Sequence, residues 1–198
     1  MCGIFGIYSQ NTAILNSHSN SASVELLTHR GPDDSGAYQD KHVFLGHKRL
    51  SIVDVDLGKQ PMVDSQGRYV IVYNGEIYNY LELRDELVSM DIDFVTSSDT
   101  EVVLNLYKYF GPEHALAKIE GMFSFGIWDN IEKVMFLARD RIGEKPLYLA
   151  RTQHAVLFAS EIKAILGTGL IDDQLNVNGL YEYFCRSKIA GTRTMFER

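Results

Sequence analysis

The amino-acid sequence predicts an α+β fold in which helices cover largely antiparallel sheets. Segments typical of strands outnumber segments typical of helices, and the two kinds do not alternate regularly along the chain. Short polar segments, Asp129–Glu132 and Arg151–His154, each separate two strand-like segments. Connections this short join antiparallel strands, whereas parallel strands need a crossover of about a dozen residues or more.

The amino-terminal half predicts three strands and two helices. Gly3–Tyr8, His42–Leu50 and Tyr69–Tyr73 are apolar or alternating runs with many β-branched and aromatic residues, which is typical of strands. Ala22–Thr28 and Leu81–Met90 have apolar residues at helical spacing, which places those residues on one face of a helix.

The carboxyl-terminal half begins with helical spacing over Thr100–Phe110 and then becomes rich in strands. Its predicted strands are Met122–Trp128, Lys133–Ala138, Leu147–Arg151 and Ala155–Ala159. Two predicted helices follow, at Ile162–Leu166 and Val177–Cys185. Because no repeat, low-complexity tract or proline-rich linker divides the chain, we expect one domain over residues 1–198.

The composition excludes several classes of function. The net charge is −7 and Lys and Arg do not cluster, so the chain has no basic patch for nucleic acid or anionic lipid. No apolar run reaches the length of a membrane span, about 18 residues. The two cysteines, Cys2 and Cys185, are too few for a disulfide framework, which favours a reducing compartment. We therefore predict a cytoplasmic protein without nucleic-acid or membrane partners.

The sequence predicts no metal site and no nucleotide site. Of the six histidines, His29, His42, His47 and His154 lie in or beside strand-like runs, and the spacing is not that of metal ligands. The sequence lacks the Gly-x-x-x-x-Gly-Lys and Gly-x-Gly-x-x-Gly patterns that bind phosphate groups.

Cys2 follows the first methionine, so removal of Met1 would leave one residue with both a thiol and a free α-amine. A thiol with a pKa of ~8.5 is a strong nucleophile once deprotonated, and an α-amine with a pKa of ~7.7–8.0 can accept its proton. Taken alone, the position favours an ordinary buried cysteine, because free Cys usually behaves as a small hydrophobe. The hypothesis of a nucleophile therefore depends on other residues.

Several sequence blocks elsewhere in the chain supply that context. In chain order they are His29–Asp33, Gly46–Asp54, Gln60–Met62, Asn74–Asn79, Ser98–Glu101, Gly121–Phe123 and Ala138–Tyr148. Together they resemble class II glutamine amidotransferases, most closely the amino-terminal half of asparagine synthetases, in the same order and over nearly the whole chain. The resemblance implies an N-terminal-nucleophile hydrolase fold, a four-layer α-β-β-α sandwich of two largely antiparallel sheets.

The resemblance also implies a reaction. Cys2 would attack the side-chain amide of glutamine, release ammonia and form a γ-glutamyl thioester that water hydrolyses to glutamate. Negative charge then develops on the carbonyl oxygen, and the resemblance assigns its stabilisation to the Asn74 side-chain amide and the Gly75 backbone N–H. The local alternative is a hairpin turn, because Asn-Gly after the apolar run Tyr69–Tyr73 is the strongest turn pattern.

Glutamine also carries an α-carboxylate and an α-ammonium group. Arg49 can bind the carboxylate through its planar guanidinium. By resemblance, the other substrate-binding residues are Leu50, Ile52, Val53, Glu76 and Asp99. The first three would line the carboxylate side with their backbone, and the two acids would face the ammonium group. Taken singly, Arg49 could instead be a solvated strand end and Glu76 a surface carboxylate.

Asp99 lies in the segment Ser98–Glu101, which fits a capping box in which Ser98 and Glu101 close the first turn of a helix. A carboxylate at a helix start suits the helix dipole and would be held ionised and oriented for an ammonium group. The resemblance adds three supporting residues, Arg30 and Gly31 beside the nucleophile and Asn79 near the oxyanion loop.

In asparagine synthetases a second domain, marked by a Ser-Gly-Gly-x-Asp-Ser loop, uses ATP and Mg²⁺ to activate aspartate and receives the ammonia. This chain has no such segment, so we expect no cofactor here and a carboxyl-terminal synthetase domain or subunit as the recipient. Residues 187–198, which lack periodicity, would begin the connection to it. The alternatives are a different acceptor such as a sugar, or a catalytically silent binding or regulatory module. A homodimer is left open.

Overall fold

The computed structural model describes residues 1–52, 54 and 56–197, which fold into two antiparallel sheets flanked by helices. The strands are β1 (Gly3–Ser9), β2 (Asp34–Gln39), β3 (Val43–Arg49), β4 (Met62–Val63), β5 (Tyr69–Ile77), β6 (Gly121–Asp129), β7 (Val134–Arg139), β8 (Tyr148–Arg151) and β9 (Ala155–Ala159). The helices are α1 (Thr12–Leu15), α2 (His18–Glu25), α3 (Tyr80–Ser89), α4 (Asp99–Lys118), α5 (Ile162–Leu166) and α6 (Val177–Arg186).

The first strand is central to its sheet. One sheet has the order β2-β3-β1-β9-β8 and the other the order β4-β5-β6-β7, with antiparallel neighbours throughout. In β1, Gly3 lies opposite Lys48 of β3, and Phe5 lies opposite Ala159 of β9. Cys2, which precedes β1, is therefore held next to the end of β3.

Alternating side chains along β1 show how the layers are built. Ile4 packs between the two sheets in a cluster with Val72 and Trp128, whereas Phe5 packs on the opposite face with Val24 of α2. The four-stranded sheet packs its outer face against α3 and α4. The α-β-β-α sandwich predicted by the resemblance is confirmed.

One polar side chain crosses between the sheets. His47 of β3 is fully buried, and its Nε2 donates to the carbonyl oxygen of Tyr73 of β5 at 3.0 Å. Burial lowers the pKa of His47 to about 4, so the imidazole is neutral near pH 7. This contact links the strand that ends at Arg49 to the strand that contains Asn74.

Both predicted hairpins are confirmed, since β6 pairs with β7 and β8 pairs with β9. The sequence does not predict β2, β4 or α1, because β2 is an alternating, partly exposed edge strand and the other two elements have only two and four residues. The predicted helix Ala22–Thr28 is wrong at both ends. The observed helix, α2, begins at His18 because Ser17 caps it by accepting from the Ser19 N–H.

The Asn-Gly pair forms no hairpin turn. β5 continues through Asn74 and Gly75, which lie opposite Ser124 and Phe123 of β6, and ends at Ile77. The local turn alternative is therefore wrong, because pairing along the whole of β5 outweighs the turn preference of two residues.

The start of α4 differs from a capping box. The Ser98 hydroxyl caps the helix by accepting from the Thr100 N–H at 3.1 Å, as expected of an N-cap. The second half of the prediction is wrong, because the Glu101 carboxylate accepts from the N–H groups of Val95 and Thr96. The Ser98 N–H donates instead to the Thr96 hydroxyl. Glu101 therefore stabilises the loop before the helix and not the first turn.

Candidate active site

A cavity of about 140 Å³ opens where the residue before β1, the end of β3, the end of β5 and the start of α4 meet. Eight residues predicted for the site line it: Cys2, Arg49, Leu50, Ile52, Asn74, Gly75, Glu76 and Asp99. The remaining lining residues are Met1, Gly58, Gln60, Tyr73, Ser98, Thr100, Met122 and Lys145. Cavities for drug-sized ligands start at about 300 Å³, so this one suits a smaller molecule such as an amino acid.

The thiol of Cys2 lies in the wall of this cavity. Its Sγ accepts from the Leu50 N–H at 3.4 Å and lies 3.7 Å from the Leu50 carbonyl oxygen. Burial raises the pKa of the Cys2 thiol, and the Leu50 N–H and the positive charge of Arg49 oppose that rise. The resting thiol is therefore protonated near pH 7 and needs a base before it can act as a nucleophile.

Met1 is more than half exposed and also lines the cavity. Its Sδ accepts from the Lys145 ammonium group at 3.4 Å. With Met1 in place, the nitrogen of Cys2 is a peptide nitrogen, which donates a hydrogen bond but accepts no proton. The base predicted for the thiol therefore arises only when Met1 is removed.

Arg30 and Gly31 lie behind the nucleophile. Arg30 Nε donates to the carbonyl oxygen of Cys2 at 2.9 Å. Gly31 packs directly on β3, where an added Cβ would lie 2.3 Å from the carbonyl oxygen of Lys48. The absence of a side chain at Gly31 therefore lets the loop that carries Arg30 lie on the strand next to Cys2.

Arg49 ends β3 with its side chain buried beside the cavity. Its guanidinium donates to the carbonyl oxygen of Asp54. The Asp54 carboxylate accepts from the N–H groups of Ser97 at 2.6 Å and Leu57 at 3.0 Å, and these hydrogen bonds lower its pKa. Arg49 and the chain after β3 are thus fastened to the segment that precedes α4.

The segment after β3 contributes backbone to the cavity. Leu50 presents both its N–H and its carbonyl group to the sulfur of Cys2. Ile52 lines the cavity with a side chain that is 73% exposed. Val53, predicted to bind substrate, lies outside the residues that the structure describes.

Asn74 places an unused donor in the cavity wall. Its side chain is buried, and Nδ2 has no hydrogen-bond partner among the residues described. Unpartnered buried donors are rare because desolvation without a partner costs about 1–3 kcal/mol. At the adjacent Gly75, an added Cβ would lie 2.4 Å from the carbonyl oxygen of Met122 and 2.8 Å from Phe123 Cα. Glycine therefore allows β5 and β6 to approach at the cavity wall.

Two carboxyl groups also line the cavity. Asp99 is buried, and its Oδ2 accepts from the Tyr73 hydroxyl at 2.7 Å and from the Ile77 N–H at 3.2 Å. Burial raises the pKa of Asp99, the hydrogen bonds oppose the rise, and the nearby charge of Glu76 adds to it. Glu76 itself is exposed. A cation bound here would compensate the cost of burying the Asp99 charge.

The sequence does not predict roles for Gln60, Tyr73 and Lys145, which also line the cavity. Gln60 Oε1 accepts from the Tyr73 N–H at 2.6 Å, and its Nε2 donates to the Thr100 hydroxyl at 3.3 Å. Gln60 and Lys145 lie in blocks that carry the family resemblance, which is the signal that could have found them. Tyr73 lies in a run whose pattern indicates only a strand.

Asn79 lies away from the cavity lining. Its Nδ2 donates to the carbonyl oxygen of Lys118 at 3.0 Å, and its Oδ1 accepts from the Glu120 N–H at 3.0 Å. The side chain thus ties the start of α3 to the end of α4 and to the segment that leads into β6.

Within residues 1–52, 54 and 56–197, no group of three or more His, Cys, Asp or Glu side chains is placed to hold a metal ion. In that same part of the chain, no helix combines the length and the apolar character needed to cross a bilayer.

Comparison with known proteins supplies the family. The family described as "Glutamine amidotransferase domain" matches residues 1–198. The chain belongs to this family. It is 39% identical over 186 residues to glutamine-hydrolyzing asparagine synthetase 1 of Bacillus subtilis (strain 168), across 92% of this chain and 29% of that protein. It is 41% identical over 168 residues to asparagine synthetase B of Escherichia coli (strain K12), across 84% of this chain and 30% of that protein.

This glutamine amidotransferase domain thus spans about 30% of the length of those relatives. Among solved structures, it resembles the glutamine phosphoribosylpyrophosphate amidotransferase of Bacillus subtilis in complex with ADP and GMP, with a TM-score of 0.68 and 25% identity. That match covers 85% of this chain and 44% of the other. The N-terminal-nucleophile hydrolase fold that the sequence resemblance implies is therefore confirmed.

Proposed function

We propose that this glutamine amidotransferase domain hydrolyses glutamine to glutamate and ammonia through a thioester on Cys2. The observation that carries the proposal is the buried Nδ2 of Asn74, which has no hydrogen-bond partner among the described residues, while Asn74 and Cys2 line the same cavity. Such a donor, on a residue that lines the same cavity as a thiol, suits a reaction in which negative charge develops on a carbonyl oxygen.

The reaction consumes one water and needs no cofactor. The sulfur of Cys2 attacks the amide carbon of the glutamine side chain, and the thiol proton passes to the α-amine of Cys2. Asn74 Nδ2 and the Gly75 N–H stabilise the oxyanion. The carbon–nitrogen bond then breaks, the leaving nitrogen takes the proton, and ammonia departs. Water attacks the resulting thioester, which returns glutamate and the free thiol.

Substrate selection would come from the ends of glutamine remote from the reaction. The guanidinium of Arg49 suits the α-carboxylate, and the family resemblance assigns the backbone of Leu50, Ile52 and Val53 to the same end of the substrate. The carboxylates of Glu76 and Asp99 suit the α-ammonium group. A simple amide lacks both charged groups and would leave the Asp99 carboxylate buried without a counter-ion, so it should bind weakly.

The ammonia would pass to an ATP- and Mg²⁺-dependent synthetase domain or subunit that makes asparagine from aspartate, with residues 187–198 leading towards it. Support comes from the two relatives, which are named glutamine-hydrolyzing asparagine synthetases and are about three times as long as the matched region. We place this reaction in the cytoplasm, in line with the two unpaired cysteines.

Release of glutamate and ammonia from glutamine by the purified chain tests the proposal, with mass measurement to confirm that Met1 is absent. Cys2→Ala should lower kcat by roughly three orders of magnitude or more. Cys185→Ala is the matched control, because Cys185 is an exposed free cysteine on α6 and should be replaceable without loss. Equal activity of Cys2→Ala and the parent would refute the assignment of Cys2 as the nucleophile.

A further inference from the structure

Glu161 lies outside the cavity lining, yet two hydrogen bonds connect its carboxylate to the nucleophile. Glu161 Oε1 accepts from Arg30 Nη1 at 3.0 Å, and Arg30 Nε donates to the carbonyl oxygen of Cys2 at 2.9 Å. The Arg30 side chain is only 9% exposed. We propose that Glu161 is a positioning residue that orients Cys2 through Arg30; this inference rests on the proposed function.

Cys2 needs an anchor because the pairing of β1 with β3 begins only at Gly3. Once Met1 is absent, Cys2 is the chain terminus, and termini move unless they are tied down. The sulfur contacts Leu50, but it must leave that contact to attack a carbonyl carbon. The carbonyl oxygen of Cys2 can stay bound throughout the reaction. Its bond to Arg30 therefore sets the direction of both the thiol and the α-amine.

Arg30 in turn needs a fixed counter-ion. Its Nη2 has no hydrogen-bond partner among the residues described, so the contact between Nη1 and Glu161 fixes the guanidinium plane. Burying this guanidinium without a carboxylate would be costly. Burial would raise the pKa of Glu161, but hydrogen bonds from His29, Arg30 and Lys163 lower it overall. The group that faces Arg30 is therefore a carboxylate near pH 7.

The backbone next to Glu161 is fixed to the strand that carries the nucleophile. The Ser160 hydroxyl accepts from the Ile4 N–H at 3.0 Å, and the Ser160 N–H donates to the Ile4 carbonyl oxygen at 2.9 Å. The connections form a closed ring from Cys2 along β1 to Ile4, across to Ser160 and Glu161, and through Arg30 back to Cys2. A change at the Glu161 side chain opens this ring without altering its backbone bonds.

Glu161→Gln tests the proposal, because the amide keeps the shape of the side chain and removes its charge. With Met1 removal verified by mass, kcat for glutamine hydrolysis should fall about 100-fold, the effect that a displacement of about 1 Å can have. KM should change less than about 3-fold, because Glu161 does not line the cavity. Alkylation of Cys2 by iodoacetamide should slow relative to that of Cys185.

Two further variants make the test specific. Lys163→Met removes another cation from the same carboxylate, on an exposed side chain, and should leave kcat within about 2-fold of the parent. Glu161→Asp keeps the charge but is one methylene shorter and cannot span to Arg30. The kcat of Glu161→Asp should therefore fall as that of Glu161→Gln does. If Glu161→Gln does not fold, Glu161→Asp takes its place in the test.

A double-mutant cycle with Arg30→Gln completes the experiment. If both residues act through one contact, the double variant loses no more than the larger single loss. Parental kcat in both Glu161 variants, or a double loss equal to the product of the single losses, overturns the proposal. A parent chain that hydrolyses no glutamine would instead overturn the proposed function, so the two failures are distinguishable.

Discussion

Replacement of Asp99 by Asn should weaken glutamine binding while it stabilises the fold. Asn has nearly the same shape, and its side-chain oxygen can still accept from the Tyr73 hydroxyl and the Ile77 N–H, now 2.7 and 3.2 Å from Oδ2. The loss is the negative charge proposed to bind the α-ammonium group. A hydrogen bond to a charged group contributes about 1.5–3 kcal/mol, so KM should rise about 10- to 150-fold.

The effect on stability has the opposite sign. The pKa of Asp99 in the folded chain is raised above its usual value, chiefly by burial. The contribution of this carboxyl group to stability is therefore fully present below its unfolded pKa and is lost as the pH rises through its folded pKa. Near pH 7 the ionised carboxylate opposes folding. Asn cannot ionise, so Asp99→Asn should raise the free energy of unfolding near pH 7.

Glutamate release at varied glutamine concentration gives KM, and urea unfolding at about pH 7 and about pH 4 gives the stability difference. The gain in stability should be larger at the higher pH, where the parent carboxyl group is charged. Asp93→Asn is the control, because Asp93 is exposed in the loop before α4 and should change neither quantity. An unchanged KM, or a variant less stable than the parent near pH 7, would refute this reasoning.

Two further substitutions test other parts of the structure. Gly75→Ala would press a Cβ against the backbone of β6 and displace the Gly75 N–H, so kcat should fall about 100- to 1,000-fold. Gly67→Ala is the control, because an added Cβ there lies in open space; it should cost about 1 kcal/mol of stability and leave kcat unchanged. Because the pKa of His47 is lowered to about 4, its contribution to stability is complete above about pH 6.5 and is lost towards pH 4, by about 3 kcal/mol. His47→Gln can keep the bond to the Tyr73 carbonyl and should remove that part of the pH dependence in unfolding titrations; the same change at exposed His154 should not.

The sequence predicts the central strands better than the edges of the sheets. β1 and β9 are buried by the second sheet on one face and by helices on the other, so their apolar runs are distinct. β2 lies at a sheet edge, and the polar residues of Asp34–Gln39 give no such run. The two-residue β4 exists only through its pairing with β5, which no local pattern indicates.

Within the candidate site, residues whose chemistry matches a group of glutamine could be predicted, and residues that hold others in place could not. Arg49 and Asp99 carry charges complementary to the substrate, so the resemblance assigns them directly. Tyr73 matters through a contact with Asp99, 26 positions away, and Glu161 through a contact with Arg30, 131 positions away. Contacts of this kind exist only after the sheets have assembled. The roles of the lining residues stay predictions until the variants are measured.

The position of β1 between β3 and β9 also determines when the site can exist during synthesis. β3 is complete at Arg49, but β9 begins at Ala155, so between the synthesis of these two residues a growing chain has β1 paired on one side only. At about 5–20 residues per second, this leaves the amino terminus incompletely enclosed for many seconds, an interval in which an aminopeptidase can reach Met1. The ring that closes through Glu161 comes later still. A ribosome-bound chain that ends before Glu161 would therefore release no ammonia.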